Sequence, residues 1–225
     1  MDGQEKSTVW DLPTRLFHWL LVILVALAWY MAEFSSSIDN REWHARAGYG
    51  VLALLLFRIA WGFVGGRHSR FSNFVRGPGA IVGYLRGGGE KDGRPARGHN
   101  PLGALSVIAL IGLLAFQAIT GLFGNDDILY EGPLFHLVGK ETSDVMVSLH
   151  HLGWNVLQVL IVVHILAVLF YLAVKKTNLI LPMITGEKID DGPPEDGPAV
   201  KGSPLLAFVI LLVSGLAVWA VVTYL

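Results

Sequence analysis

Three histidines interrupt an otherwise apolar run, VSLHHLGWNVLQVLIVVHILAVLFY, between Val147 and Tyr171. Imidazole is a common metal ligand and a proton carrier, and ionisable groups inside a long apolar segment are costly enough that they tend to serve chemistry. His150 and His164 are fourteen residues apart. At about 100° per residue they return to within about 40° of one helix face, about 21 Å apart along the axis. His151, rotated by about 100° from His150, points elsewhere and is the weaker candidate. Two further histidines reach the same two depths if the apolar segments run up and down: His18 in RLFHWL and His44 in REWHARAGYG.

Topology therefore pairs His18 with His164 and His44 with His150. Two stacked imidazole pairs inside one helical bundle would suit two b-type haems, each held by two histidines. Zinc or copper competes, but levels about 21 Å apart would leave each metal two ligands, too few for a tetrahedral site. A third use is proton relay without any cofactor. The chain has no cysteine, which excludes disulfides, iron–sulfur clusters and thioether-linked haem.

Other residues fall around this constellation. Arg58 is fourteen residues after His44, so it shares that face at the inner depth. It suits a bidentate pairing with a haem propionate, or snorkelling to the inner headgroups. Arg15, Arg41 and Arg46 are similarly placed for propionates or for the membrane edge. His68 and His136 sit in polar loops. His99, in GHNPLG, is expected to cap the following helix, with contact to a haem edge or quinone headgroup as the alternative. Gly48, Gly50, Gly112, Gly121 and Gly153 would let a flat macrocycle or a neighbouring helix approach the backbone.

The elements that must hold these groups are long and apolar. The 225-residue chain is 53% hydrophobic and 16% charged, with a mean hydropathy of +0.53. Five windows, roughly 16–34, 45–64, 101–123, 145–174 and 204–225, are each long enough to span about 30 Å of hydrocarbon. The first ends in Trp29, Tyr30 and Glu33 without a small-x-small cleavage site, and is expected as a retained helix. The expected fold is an all-α integral membrane protein: a four-helix bundle holding two haems within residues 1–180, a Gly/Pro/acidic linker at 181–203, and a fifth transmembrane helix at 204–225. Within the loop between the second and third windows, the apolar turn near Pro78 to Leu85 suggests an interfacial helix. No internal repeat is evident, and a net charge of −1 does not suggest a nucleic-acid partner.

Basic residues set the orientation. Arg67, Arg70, Arg76, Arg86, Lys91, Arg94 and Arg97 follow the second window, and Lys175, Lys176, Lys188 and Lys201 follow the fourth. The opposite loops hold Arg41 and Lys140 among seven acidic residues. The N-terminus is thus expected in the cytoplasm and the C-terminus in the periplasm, in a bacterial inner membrane.

The stretches VWDLPTRLFHWLLVILV, REWHARAGYGVLALLLFRIAWGFVGGRHSRFSNFVRGP, GHNPLGAL and TNLILPMITGEK together resemble the bacterial cytochrome b561 family, which includes the b-type cytochrome subunits of nickel–iron hydrogenases. The resemblance covers roughly residues 8 to 188. It implies four helices and two b haems passing electrons between quinone and a redox partner, with His18, His44, His150 and His164 as the axial ligands. A fifth helix without histidine departs from that pattern.

The expected function is electron transfer between the quinone pool and a periplasmic partner, a c-type cytochrome or a hydrogenase. A stand-alone superoxide or quinone oxidoreductase is the alternative, favoured by a basic pocket from Arg41, Arg46 and Lys140. A haem-free transporter or membrane anchor is the third reading.

Overall fold

The computed structural model describes residues 5–34, 38–86, 98–128, 130–190 and 202–225. The expected loop charges Lys91, Arg94 and Arg97, and the tether over 191–201, lie outside the described residues.

Five long helices carry the fold: α1 (Leu12–Glu33), α2 (Ile38–Val64), α5 (Pro101–Leu122), α6 (Gly139–Ala173) and α8 (Pro204–Tyr224). All five are long and apolar enough to cross a membrane. Short helices α3 (Phe71–Phe74) and α4 (Pro78–Leu85) follow α2, and α7 (Ile180–Thr185) follows α6. The interfacial turn expected at Pro78 to Leu85 is α4.

Three of the long helices start on one local device, a polar cap followed by proline. Asp11 accepts from Thr14 N at 2.9 Å ahead of α1, Asn100 from Gly103 N at 2.7 Å ahead of α5, and Ser203 from Leu206 N at 3.4 Å ahead of α8. The side-chain oxygen satisfies an amide that has no carbonyl one turn back, while proline loses no hydrogen bond in the first turn. Asn100, not His99, is thus the cap of α5.

Helices α2 and α6 begin earlier than their apolar windows, at Ile38 rather than 45 and at Gly139 rather than 145. Their first turns, IDNREW and GKETSD, are polar. Hydropathy reports where lipid begins, whereas the helix begins where its backbone bonds do.

Helix α2 is the central mast and packs against α1, α5 and α8, while α6 lies against α5. One apolar cluster joins Phe17, Leu54, Phe57, Trp61 and Ala207 from α1, α2 and α8. A second joins Val51, Leu55, Leu114 and Leu157 from α2, α5 and α6. Helices α1 and α6 share little backbone contact among the described residues.

Residues 181–190, expected as part of the tether, are built into the fold. Helix α7 ends at Gly186, whose φ of 87° favours glycine. Strand β2 (Glu187–Asp190) then pairs antiparallel with β1 (Glu5–Thr8), Glu5 opposite Asp190 and Thr8 opposite Glu187. Gly186 O accepts from Val9 N at 2.8 Å and Trp10 N at 3.2 Å. This two-stranded ribbon, and an isolated bridge between Asn125 and Glu131, depart from the all-α expectation among the described residues.

Candidate functional site

At the end of the bundle with the acidic loops, α2 and α6 bring His44 and His150 together, with ring centres 5.9 Å apart and planes at 74°. His44 Nδ1 lies 2.8 Å from the Ala28 carbonyl of α1. His150 Nδ1 lies 3.0 Å from the Gln117 carbonyl of α5 and 3.2 Å from Thr120 Oγ1. With Nδ1–H donated to a carbonyl, Nε2 keeps its lone pair, the tautomer a metal requires. Two imidazoles on opposite sides of one metal, at about 2 Å per bond, place their ring centres about 6 Å apart. The spacing, and the carbonyls beside both Nδ1 atoms, fit a bis-histidine haem.

Two glycines bear on this pair. A Cβ at Gly121 would sit 3.2 Å from His150 Cε1, so a side chain there would push the ring. A Cβ at Gly48, one turn past His44, would meet nothing within 4 Å, which leaves open space beside the imidazole. Gly50 and Gly153 instead sit against Leu24 and Gln117, which is helix packing. The ring of His151 is 6.4 Å from that of His150, and the residue is exposed.

At the Arg-rich end, His18 and His164 interact electrostatically across α1 and α6. Among the described residues no ring contact joins them as one joins His44 and His150. His18 lies edge-on to Trp19, with ring centres 4.9 Å apart, and its enclosed Nδ1 has no hydrogen-bond partner. Among the described residues no three His, Asp or Glu side chains converge as a metal-binding group.

Asp11, absent from the sequence reading, organises this end. Its Oδ1 caps α1, and its Oδ2 accepts from Trp61 Nε1 at 3.1 Å, Gly66 N at 3.0 Å and Ser69 Oγ at 3.1 Å. The Thr14 and Ser69 hydroxyls lie 2.7 Å apart. One buried carboxylate thus ties the start of α1 to the end of α2. Beside it, Asn100 Nδ2 donates to the hydroxyls of Tyr171 at 2.5 Å and Tyr84 at 3.3 Å, which are 2.8 Å from each other. This links α5, α6 and α4. The DLP and HNP triplets were the available signal, each a cap residue before proline.

The arginines take different places. Arg58 is 3% exposed, so it does not snorkel. Its guanidinium stands over Phe71 at 4.8 Å and Phe74 at 5.9 Å. Arg15 donates to the Ile184 carbonyl of α7, next to Trp19 Nε1, which donates to Met183 O at 3.1 Å. Arg46 pairs with Glu42 at 2.8 Å, Arg41 with Asp126, and Lys140 with Asp127 at 2.5 Å and Asp144 at 2.6 Å. The three residues expected to form a basic pocket are therefore each matched by a carboxylate. His99 is wedged between Trp10 and Phe74, its ring centre 4.7 Å from each. Burial, then the charges of Arg58, His68 and His164, push its pKa down to about 3. His68 and His136 lie in short 3-10 turns.

Comparison with known proteins bears on the family of the chain. Curated relatives include a protein of Azotobacter vinelandii named "Probable Ni/Fe-hydrogenase B-type cytochrome subunit", 29% identical over 85% of this chain and 95% of its own length. A protein of the same name from Rhizobium leguminosarum bv. viciae is 25% identical over 83% of this chain and 90% of its own. No solved structure matches. Residues 9–186 match prokaryotic cytochrome b561, and the chain belongs to that family of membrane-spanning, electron-transferring b-type cytochromes.

Proposed function

We propose that the protein is a dihaem cytochrome b that carries electrons between the quinone pool and a redox protein outside the inner membrane. His44 and His150 ligate the outer haem, and His18 and His164 the inner one. The observation that carries this reading is the outer pair: 5.9 Å between rings, with both Nδ1 atoms at backbone carbonyls. Two imidazoles would hold each haem iron, and a haem so held would favour electron transfer over oxygen binding. Levels about 21 Å apart let the two haems relay an electron most of the way across the bilayer.

The relatives' printed name points to a nickel–iron hydrogenase as the partner. A c-type cytochrome docking on the acidic loops is the other partner class. Ion pairing at Arg41, Arg46 and Lys140 weakens the case for a small anionic substrate, and with it the stand-alone superoxide reading. The N-terminus lies in the cytoplasm and the C-terminus in the periplasm, following the basic loops.

Pyridine haemochrome and reduced-minus-oxidised spectra of the purified protein test this. Two b haems per chain are expected, with one lost in His150→Ala and both retained in His151→Ala. Absence of haem in the native protein would refute the cytochrome assignment, and loss in His151→Ala alone would refute the outer pair.

A further inference from the structure

We infer that Arg58 and His99 anchor a carboxylate of the inner haem, the one assigned to His18 and His164. The inference rests on the dihaem reading and adds to it a binding site for the anionic edge of the macrocycle.

Arg58 presents an imbalance of charge. A guanidinium stays protonated in proteins, and a cation withdrawn from water is tolerated when it is paired and hydrogen-bonded. Arg58 is 3% exposed, yet its Nη1 is enclosed and has no hydrogen-bond partner. Phe71 and Phe74 cover the face of the guanidinium. A cation–π contact uses that face and leaves the N–H groups at the rim still seeking acceptors.

The nearest carboxylate does not meet this demand. Asp11 interacts with Arg58 electrostatically, but its oxygens already accept from Thr14, Trp61, Gly66 and Ser69. Among the described residues no acidic side chain forms an ion pair with Arg58. An anion from outside the chain is the missing partner.

His99 shows where that anion lies. Its ring shares Phe74 with Arg58, and its enclosed Nδ1 also lacks a partner. It is within electrostatic reach of both Arg58 and His164. An unpartnered guanidinium nitrogen on α2 and an unpartnered imidazole nitrogen before α5 therefore flank one ring, Phe74, within electrostatic reach of a proposed inner-haem ligand. A carboxylate there would accept the Arg58 fork and a hydrogen bond from His99. Haem brings two carboxylates at its edge, and α1 and α6, which carry the two proposed ligands, share little backbone contact among the described residues. A lipid phosphate is the other source of the same anionic chemistry.

The test is a redox titration of both haems in the purified full-length protein, in nanodiscs, for Arg58→Met, Arg58→Lys, His99→Gln and the native chain. Removing a cation beside one haem favours its ferric form. Arg58→Met is expected to shift the ferrous-to-ferric ratio of one haem about tenfold toward ferric at fixed potential, about 59 mV for one electron, with the other haem unmoved. Arg58→Lys and His99→Gln are expected to give smaller shifts of that same haem. If Arg58→Met loses its haem or does not fold, those two variants decide. Native potentials for both haems in all the variants that hold haem would overturn the inference, as would a shift of the outer haem, identified by its loss in His150→Ala. It would also be overturned if changing the nanodisc from anionic to neutral lipid moved the native potential as far as Arg58→Met does, since the anion would then be a headgroup. A native protein without haem refutes the function proposed above, a result distinct from a haem whose potential ignores Arg58.

Discussion

Replacing Asp11 should loosen the end of the bundle that holds His18. In Asp11→Ala four donors lose their acceptor. The helix cap contributes about 1 kcal/mol. Three more donors, Trp61 Nε1, Gly66 N and Ser69 Oγ, each stand to lose about 1–3 kcal/mol if left unpaired. Ser69 keeps its contact with Thr14 and water can relieve part of the rest, so about 3–5 kcal/mol is expected, in the upper range for single substitutions. Asp11→Asn retains one oxygen. Turned toward the three donors it keeps them, and its amide then faces Thr14 N, so the cap and the charge assistance are lost for about 1–2 kcal/mol. At about 2–4 °C per kcal/mol for a chain of this size, thermal melts in detergent should fall by about 6–20 °C for alanine and about 2–8 °C for asparagine. Tryptophan fluorescence reports the fold and the Soret band reports haem. His18 is seven residues along α1 and shares the face of Asp11, so one haem should leave before the other on heating. Equal melting of Asp11→Ala and the native protein would refute the reasoning. Equal loss in both variants would show that the negative charge matters and the number of acceptors does not.

At the outer level, Gly48→Leu fills the open space beside His44 and should cut haem to about one per chain in the haemochrome assay, with α-helical circular dichroism unchanged. Gly121→Val drives a side chain into the His150 ring, 3.2 Å from where a Cβ would lie, and should broaden or shift the spectrum of the same haem that Gly48→Leu removes. Trp19→Phe deletes the hydrogen bond to Met183 O and should cost about 1 kcal/mol, read as faster proteolysis after α7 without loss of haem.

The spans were legible because lipid demands about 20 apolar residues per crossing, and WLLVILVALAWY and ILLVSGLAVWAVV are the cores of two such runs. The approach of His44 to His150 was legible because the two sit at matching depths on opposed helices. Side-chain direction was not. Arg15 and Arg58 lie in similar apolar contexts, yet one reaches α7 and the other is boxed by Phe71 and Phe74, because the partners come from segments more than ten residues away. The ribbon was hidden for a related reason: EKST and EKID are short and polar, and nothing local says that residue 5 meets residue 190.

The fifth helix belongs to this same account. It supplies no imidazole, and it meets α2 through Leu54, Phe57 and Trp61, on a face roughly 100° round from His44. Ala207, Ser214 and Val218 are buried along it. At its start, a Cβ at Gly202 would fall 2.2 Å from Trp61 Cζ2, so the backbone there lies directly on the indole and leaves Trp61 0% exposed. That indole donates to Asp11. A buried carboxylate network strengthens as water is excluded and weakens when water competes for its donors. Helix α8 therefore acts on the histidine site from behind: it keeps Trp61 dry, Trp61 holds Asp11, and Asp11 fixes the start of the helix that carries His18.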